Sequence, residues 1–463
     1  MDQRLTFDAD LIKRYDMSGP RYTSYPTAVQ FHEQLGEAEY RDQAQRSNEE
    51  PIPRPLSLYV HIPFCDTVCF YCACNKVVTK DRARAAPYLT RLHQEIARQG
   101  ELFDRDRRVD QLHWGGGTPT FLSQGEMSAL MDELRRHFSL RTDDRGDYSI
   151  EIDPRKADPP SIGFLREIGF NRISLGVQDF DPLVQKAVNR IQTREETEAV
   201  LRAAREWDYH SINVDLIYGL PHQSVEQFDR TLETVIEMGP DRLSVFNYAH
   251  LPERFKPQRR ISAADLPTPA AKLEILHRCI DKLGEAGYVY IGMDHFAKRN
   301  DELAVAQRQG TLHRNFQGYS THADCDLVAM GVSAISKVAD CYAQNVHGLE
   351  DYYRLIDGGH LPIYRGVMLT YDDELRAEVI SQLICHFELD MASIAGQFAI
   401  DFADYFKNEL ALLAPMQADG LLEMEGNFIR VKPAGRLLIR NICMVFDAYL
   451  NGRTAPGRFS RVI

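Results

Sequence analysis

The 463-residue sequence predicts an α/β protein in which parallel strands form a full or partial (βα) barrel, between an N-terminal arm and a smaller, mostly helical C-terminal domain. Three observations carry this. Short apolar, β-branched or aromatic runs recur at 57–61, 109–114, 148–153, 172–178, 212–218, 242–249 and 288–293. Helical patterns at 87–99, 123–137, 160–168, 193–207, 224–238 and 269–286 lie between them, several opened by Ser, Thr or Pro and closed near Gly. Each strand then ends on a polar or glycine signal: His61, Gly115 to Thr118, Glu151 and Asp153, Gln178, Asp215, Asn247 and Tyr248, and Asp294 with His295. Alternation alone also admits a doubly wound sheet, and such residues are common in any strand-end turn. Their recurrence in phase favours a barrel, whose active site is assembled at the C-terminal ends of several strands.

Residues 1–55 read as a polar arm, either a lid or a strap. Its segment GPRYTSYPTA, at 19–28, holds two Tyr, two Pro and an Arg and is expected to be extended. Residues 56–365 are assigned to the catalytic barrel and 366–463 to the helical C-terminal domain. That last part shows helical patterns at 372–387, 391–396 and 402–413, a β-hairpin in LLEMEGNFIRVKP, and a helix over 434–449, a winged-helix-like order. It has no concentrated basic face, and 402–413 contains Asp404 and Glu409, so packing or substrate covering is expected rather than DNA binding.

A net charge of −13 offers no general attraction to nucleic acid or anionic membranes, so an anionic substrate would need a local cluster of Arg and Lys. No apolar stretch approaches the ~20 residues of a membrane span, and the start lacks the apolar core of a secretory signal. A soluble cytoplasmic protein is expected. Four of the nine cysteines fall within ten positions, which in a reducing compartment points to a metal rather than disulfides.

Cys65, Cys69 and Cys72 have the spacing C-x₃-C-x₂-C. Three thiolates so placed can hold an iron–sulfur cluster and leave one iron without a protein ligand, open to a small chelating molecule. The competing reading is a structural zinc site that adds Cys74. Zinc sites usually use two separated cysteine knuckles, whereas this cluster sits in one loop, and Cys74 lies too close to Cys72 to share that loop comfortably, so it is read as a non-ligand. Cys279, Cys325, Cys341, Cys385 and Cys443 are scattered and expected to be buried small apolar residues. The turn Gly115-Gly116-Gly117-Thr118-Pro119 follows a strand and could bring backbone N–H groups to a ligand carboxylate. It matches neither the dinucleotide nor the phosphate-loop glycine pattern.

The cysteine motif after a first strand, with a glycine turn after the second, resembles the radical S-adenosylmethionine (SAM) superfamily. The strings GPRYTSYPTA, YVHIPFC, LHWGGGTPT, SIEIDPR, SLGVQDF, NVDLIYGLP, IGMDHFA, HRNFQGY, GVSAIS, GRLLIRNICM and FSRVI are similar to the oxygen-independent coproporphyrinogen III oxidase family, over nearly the whole chain. The resemblance implies a partial (βα)6-type radical SAM barrel, a [4Fe-4S] cluster on Cys65, Cys69 and Cys72, and two molecules of SAM. It implies contacts to the first SAM from Tyr59, Tyr71, Gly116 and Glu151, and to the second from Gly117, Thr118, Gln178, Arg190, Asp215, Ala249 and Ile335. The implied activity is oxidative decarboxylation of the ring A and B propionates of coproporphyrinogen III to vinyl groups, giving protoporphyrinogen IX. An unidentified electron-donor protein and a monomeric state are implied as well, with no nucleic acid or membrane partner. Ala73 stands where the family is expected to have Gly, and Tyr71 where Phe is more usual. The alternative is the related heme chaperone, which typically lacks the arm and the fourth cysteine.

Overall fold

The computed structural model describes residues 5–322 and 325–450. FSRVI, the first residues of the arm and the end of the C-terminal domain therefore lie outside the described residues. Six strands run parallel and in chain order: β1 Leu56–Ile62, β2 Arg108–Gly116, β3 Asp147–Ile152, β4 Arg172–Gln178, β5 Ser211–Tyr218 and β6 Arg242–Asn247. The helices Ala85–Gly100, Gln124–His137, Pro159–Glu167, Arg194–Glu206, Val225–Met238 and Pro269–Glu285 alternate with them. Local chemistry starts these helices where expected. Ser123 with Glu126, Thr193 with Glu196 and Ser224 with Gln227 form capping boxes that satisfy otherwise orphaned N–H groups. β1 is buried along its length except at Tyr59, as suits a parallel strand covered on both faces. Trp114 of β2 is fully buried, its ring 4.9 Å edge-on from Phe170.

Among the described residues the sheet does not close. Its order is β7-β8-β6-β5-β4-β3-β2-β1-β9-β10-β11-β12, where β7 is Tyr288–Gly292, β8 His295–Lys298, β9 Asp326–Met330, β10 Ile335–Val338, β11 Cys341–Asn345 and β12 Ile363–Met368. The run at 288–293, expected as a seventh parallel strand, is instead the outer arm of an antiparallel hairpin, with β8 between it and β6. Met293, at φ 55°, makes the tight reversal that inserts β8. On the other edge β9 pairs parallel with β1, and β10 to β12 continue antiparallel. Arg107, just ahead of β2, donates from Nη2 to Asp326 Oδ2 at the start of β9 at 2.6 Å, and both side chains are almost fully buried.

The arm is not simply extended: helices Ala9–Tyr15 and Glu37–Asn48 flank the 19–28 segment, which is non-helical up to Thr27, as its prolines predict, and ends where the 3-10 turn Ala28–Gln30 begins. That segment is strapped to the C-terminal domain. The Tyr22 hydroxyl donates to Asp447 at 3.0 Å, Ala448 N–H donates to the Tyr25 oxygen at 3.0 Å, and Arg440 Nε donates to the Pro20 carbonyl at 2.9 Å. The C-terminal domain pairs Glu388–Asp390, Leu422–Glu425 and Phe428–Val431 as an antiparallel sheet beside helices Tyr371–His386 and Met391–Gln397. The helix expected over 402–413 is two, Phe402–Tyr405 and Lys407–Ala418. The one expected over 434–449 shrinks to a 3-10 turn, Arg436–Leu438, and a helix, Ile439–Val445. No helix among the described residues is long and apolar enough to cross a membrane.

Candidate active site

The cysteine loop leaves the C-terminal end of β1. Short strands Phe64–Cys65 and Val77–Val78 pair at its base, so residues 65–78 form a closed lasso. Three hydrogen bonds hold its tip: Phe70 N–H to the Val188 carbonyl at 2.9 Å, Asn189 Nδ2 to the Val68 carbonyl at 2.8 Å, and Gln258 Nε2 to the Tyr71 carbonyl at 2.9 Å. Phe70 and Tyr71 also pack on a separate apolar cluster of Val184, Val188, Leu220, Tyr248 and Ile261.

All three motif thiols are free, and each has a donor beside it. Thr118 Oγ1 lies 3.6 Å from Cys65 Sγ, and Cys69 Sγ receives Arg190 Nη1 at 3.6 Å and Arg155 Nη2 at 3.9 Å. Both guanidiniums are held on Asp153, Arg155 at 2.6 Å and Arg190 at 3.3 Å. Cys72 is hydrogen-bonded by Cys74, which with the Lys76 ammonium draws its thiol down to about 5, while burial pushes Cys65 up to about 11. Among the described residues no three Cys, His, Asp or Glu side chains gather tightly enough to hold a single metal ion. Three free thiols on one loop, with cationic and hydroxyl donors aimed at sulfur, suit a thiolate-bound iron–sulfur cluster, whose potential such donors tune.

The glycine turn does something other than expected. Gly116 N–H donates to Glu151 Oε2 at 3.1 Å, Gly117 N–H to the Ile62 carbonyl at 2.8 Å and Thr118 N–H to the Phe64 carbonyl at 2.8 Å. These groups bind the protein's own chain and are not offered to a ligand carboxylate. Glycine is needed for close approach: Gly116 sits at φ 114° against the His61 ring, and a Cβ on Gly117 would lie 2.7 Å from the Phe64 carbonyl oxygen. Gly117→Ala is therefore expected to push the Phe64–Cys65 strand aside. It should cost about 1–3 kcal/mol, as overpacking does, and lower iron retention. Thermal unfolding and iron analysis check it; a variant with parent values for both would refute the close-packing role.

Beside the lasso lies a cavity of about 320 Å³ lined by Tyr59, His61, Cys74, Gly116, Glu151 and Ile335. His61 Nδ1 is 3.0 Å from the Tyr59 hydroxyl and Nε2 is 3.0 Å from the Asn75 carbonyl. Nε2 must carry the proton to satisfy that carbonyl, so Tyr59 donates to Nδ1; burial lowers the imidazole's proton affinity and keeps it neutral. His113 stacks on Tyr59, rings 5.8 Å apart, and reaches Ser149 at 2.6 Å and Glu151 at 3.4 Å. Burial pushes the Glu151 carboxyl up, but His113 and the Gly116 N–H outweigh it and hold it below its ordinary value.

Tyr59, Gly116, Glu151 and Ile335 are thus brought together. Asp215 lies in an adjoining barrel cavity of about 210 Å³, which Glu151 and His113 also line; it accepts from Ser174 at 3.0 Å and Asn213 at 2.8 Å, and burial raises its pKa. Gln178 ends β4 at φ 73° with its buried Oε1 unpartnered, and Ala249 is exposed just beyond β6. Tyr71 and Arg190 belong to the lasso side. Cys279, Cys341, Cys385 and Cys443 are buried as expected, whereas Cys325 is only partly so. The sequence reading missed His113, Arg155, Lys76 and Glu95 as site residues. Residues 111, 113 and 115 of β2 alternate toward the same side, a signal that could have placed His113 there.

Glu95, on the helix Ala85–Gly100, is fully buried and braces the loop that carries Ile335. It accepts from Gly331 N–H at 2.8 Å, Asn345 Nδ2 at 2.7 Å and the Tyr352 hydroxyl at 2.5 Å, yet burial still raises it to about 7. The raised carboxyl contributes stability that is complete below its unfolded value near 4.5 and is lost as pH rises to about 7. Across that window the parent should lose roughly 3 kcal/mol relative to Glu95→Gln, at about 1.4 kcal/mol per pH unit. Parallel urea-denaturation profiles against pH would contradict this.

A thiol lasso at the C-terminal ends of six parallel strands, facing a polar cavity, defines a radical SAM protein, and residues 59–235 match the Radical SAM superfamily. Residues 369–438 match the HemN C-terminal domain. The chain is 58% identical over 459 residues to the oxygen-independent coproporphyrinogen III oxidase of Pseudomonas aeruginosa, covering 99% of each. It is 53% identical to that of Escherichia coli, covering 100% of this chain and 99% of the relative. The solved structure of the E. coli coproporphyrinogen III oxidase HemN, described as a radical SAM enzyme, superposes with a TM-score of 0.92 at 51% identity, over 96% of this chain and 100% of that one. The chain belongs to the oxygen-independent coproporphyrinogen III oxidase family.

Proposed function

We propose that the chain converts the ring A and B propionates of coproporphyrinogen III to vinyl groups, as a radical SAM oxidoreductase of porphyrin biosynthesis. The observation that carries this is full-length membership of the oxidase family combined with the intact three-thiol lasso beside the Tyr59–Glu151 cavity. In this reading Cys65, Cys69 and Cys72 hold a [4Fe-4S] cluster, and the chemistry supplied when cluster and SAM are bound is reductive cleavage of the sulfonium to a carbon radical that starts the decarboxylation.

The chain's own residues bind and orient. Tyr59, Tyr71, Gly116 and Glu151 receive the first SAM, with Glu151, kept ionised by His113, suited to an ammonium or ribose hydroxyls. Gly117, Thr118, Gln178, Arg190, Asp215, Ala249 and Ile335 form the reading for the second. Gln178 supports it through its unpartnered amide oxygen, Arg190 through a guanidinium next to Cys69, and Gly117 and Thr118 through backbone shape, since their N–H groups are used internally. A separate electron-donor protein, a monomeric state and a cytoplasmic location, without nucleic acid or membrane partners, complete the proposal.

The test is anaerobic reconstitution with reductant, SAM and coproporphyrinogen III, with release of CO₂ and formation of protoporphyrinogen as the expected result. SAM cleavage without decarboxylation, together with tight heme binding, would favour the heme chaperone instead.

A further inference from the structure

A space of about 1000 Å³ lies beyond the Tyr59–Glu151 cavity. Segments far apart in the chain wall it: the arm through Tyr22 and Tyr25, the stretch leading into β1 through Arg54 and Ser57, the hairpin strand His313–Asn315, β10 and β11 through Lys337 and Tyr342, and the helix Tyr371–His386. Phe316, at the hairpin tip, and Leu327 line this space and the smaller cavity alike, so they form the partition between the two. Small-molecule sites run to roughly 300–1,000 Å³, and this volume suits a large, multi-ring ligand.

One group on its wall carries donors that no described residue accepts. Arg314 Nε and Nη1 are buried without an acceptor, while the guanidinium lies 4.8 Å from the Tyr319 ring centre. Leaving such donors unmet costs about 1–3 kcal/mol, and more for a charged group. The neighbouring charges are already engaged. Lys337 donates to the Ala339 carbonyl, Arg54 pairs with Glu50 at 3.6 Å, and Arg21 pairs with Asp294. Asp340 and Glu374 hydrogen-bond each other near Lys337, and Glu378 accepts from Gln382. Among the described residues, therefore, no carboxylate of the wall serves Arg314 Nε or Nη1.

We infer that this space is the substrate chamber and that Arg314 anchors a carboxylate of a flat, multi-ring polycarboxylate. The inference rests on the function proposed above and extends it to recognition. A guanidinium presents paired donors that match a carboxylate, and an aromatic ring beneath it keeps its plane fixed. The arm and the C-terminal domain, through Tyr22, Tyr25, Ile380 and Ile384, supply walls for the ring body. The partition at Phe316 separates the bulk of the ligand from the radical-generating side, so that only a side chain of the ligand crosses.

The test uses full-length, anaerobically reconstituted protein with coproporphyrin III and its tetramethyl ester as fluorescent probes. Arg314→Gln is expected to weaken binding of the free acid by about 10–100-fold, the loss of a charge-assisted hydrogen bond, and to raise KM more than it lowers kcat. Ester binding and iron content should stay at parent levels, and Arg314→Lys should restore part of the acid affinity. Unchanged acid affinity in Arg314→Gln, or equal losses for acid and ester, would overturn the anchor. A parent protein that binds coproporphyrin III but never decarboxylates coproporphyrinogen III would instead sink the catalytic reading while leaving the anchor standing.

Discussion

Cys69→Ser is expected to leave the chain without iron and sulfide and to reduce SAM cleavage and decarboxylation to background, because a missing thiolate removes the group that supplies the chemistry. Cys69 is the buried member of the three, and its sulfur faces both Arg190 and Arg155. A serine oxygen there would be a poorer ligand for iron and would leave two guanidiniums facing a neutral hydroxyl. Cys74→Ser provides the contrast. Cys74 is exposed, bonds to Cys72 and lines the Tyr59–Glu151 cavity, so its loss should keep iron near the parent value. Iron and sulfide analysis of anaerobically purified protein separates the two. Equal iron loss in both variants would make Cys74 a ligand and revive the four-cysteine reading.

Asp326→Ala is expected to destabilise the fold by about 3–5 kcal/mol, the cost of stranding a buried charge. Arg107 sends its remaining donors to Ser47 and Asn48, each at 2.8 Å, and to the Arg54 carbonyl at 2.8 Å, so neutral acceptors would be all it retained. Asp326 also accepts from Ala339 N–H at 3.0 Å, which ties β9 to the turn after β10. The double change Arg107→Met with Asp326→Leu should recover most of the loss, since well-packed apolar residues often replace a buried pair without penalty. Equilibrium urea denaturation of the parent and both variants measures this. A single variant within about 1 kcal/mol of the parent, the range of exposed pairs, would refute a structural role for the pair.

Much of the barrel was legible because its signals are local. A capping Ser or Thr lies three residues from its Glu or Gln, and a strand covered on both faces, such as β1, reads as a largely apolar run whatever its neighbours are. Strands β9 to β12 escaped notice because they are short and owe their existence to pairing with β1 and with one another. The hairpin of β7 and β8 was read as one parallel strand because the reversal at Met293 carries no Gly, Asn or Pro at its first position. The arm reads as polar, yet its tyrosines are buried against Asp447 and Ala448, more than four hundred residues away in sequence.

The site divides in the same way. Spacing alone specified three thiols on one loop with a fourth set apart, because a short loop limits which sulfurs can converge, and the glycine run announced a close approach. The fold decided what approaches. The glycine N–H groups turn to Ile62, Phe64 and Glu151, while Arg155 and Arg190 meet Cys69 through a shared Asp153. Arg314 Nε and Nη1 are left without an acceptor among the described residues. Covalent spacing is written in the chain, but hydrogen-bond satisfaction depends on which distant segments fold against one another.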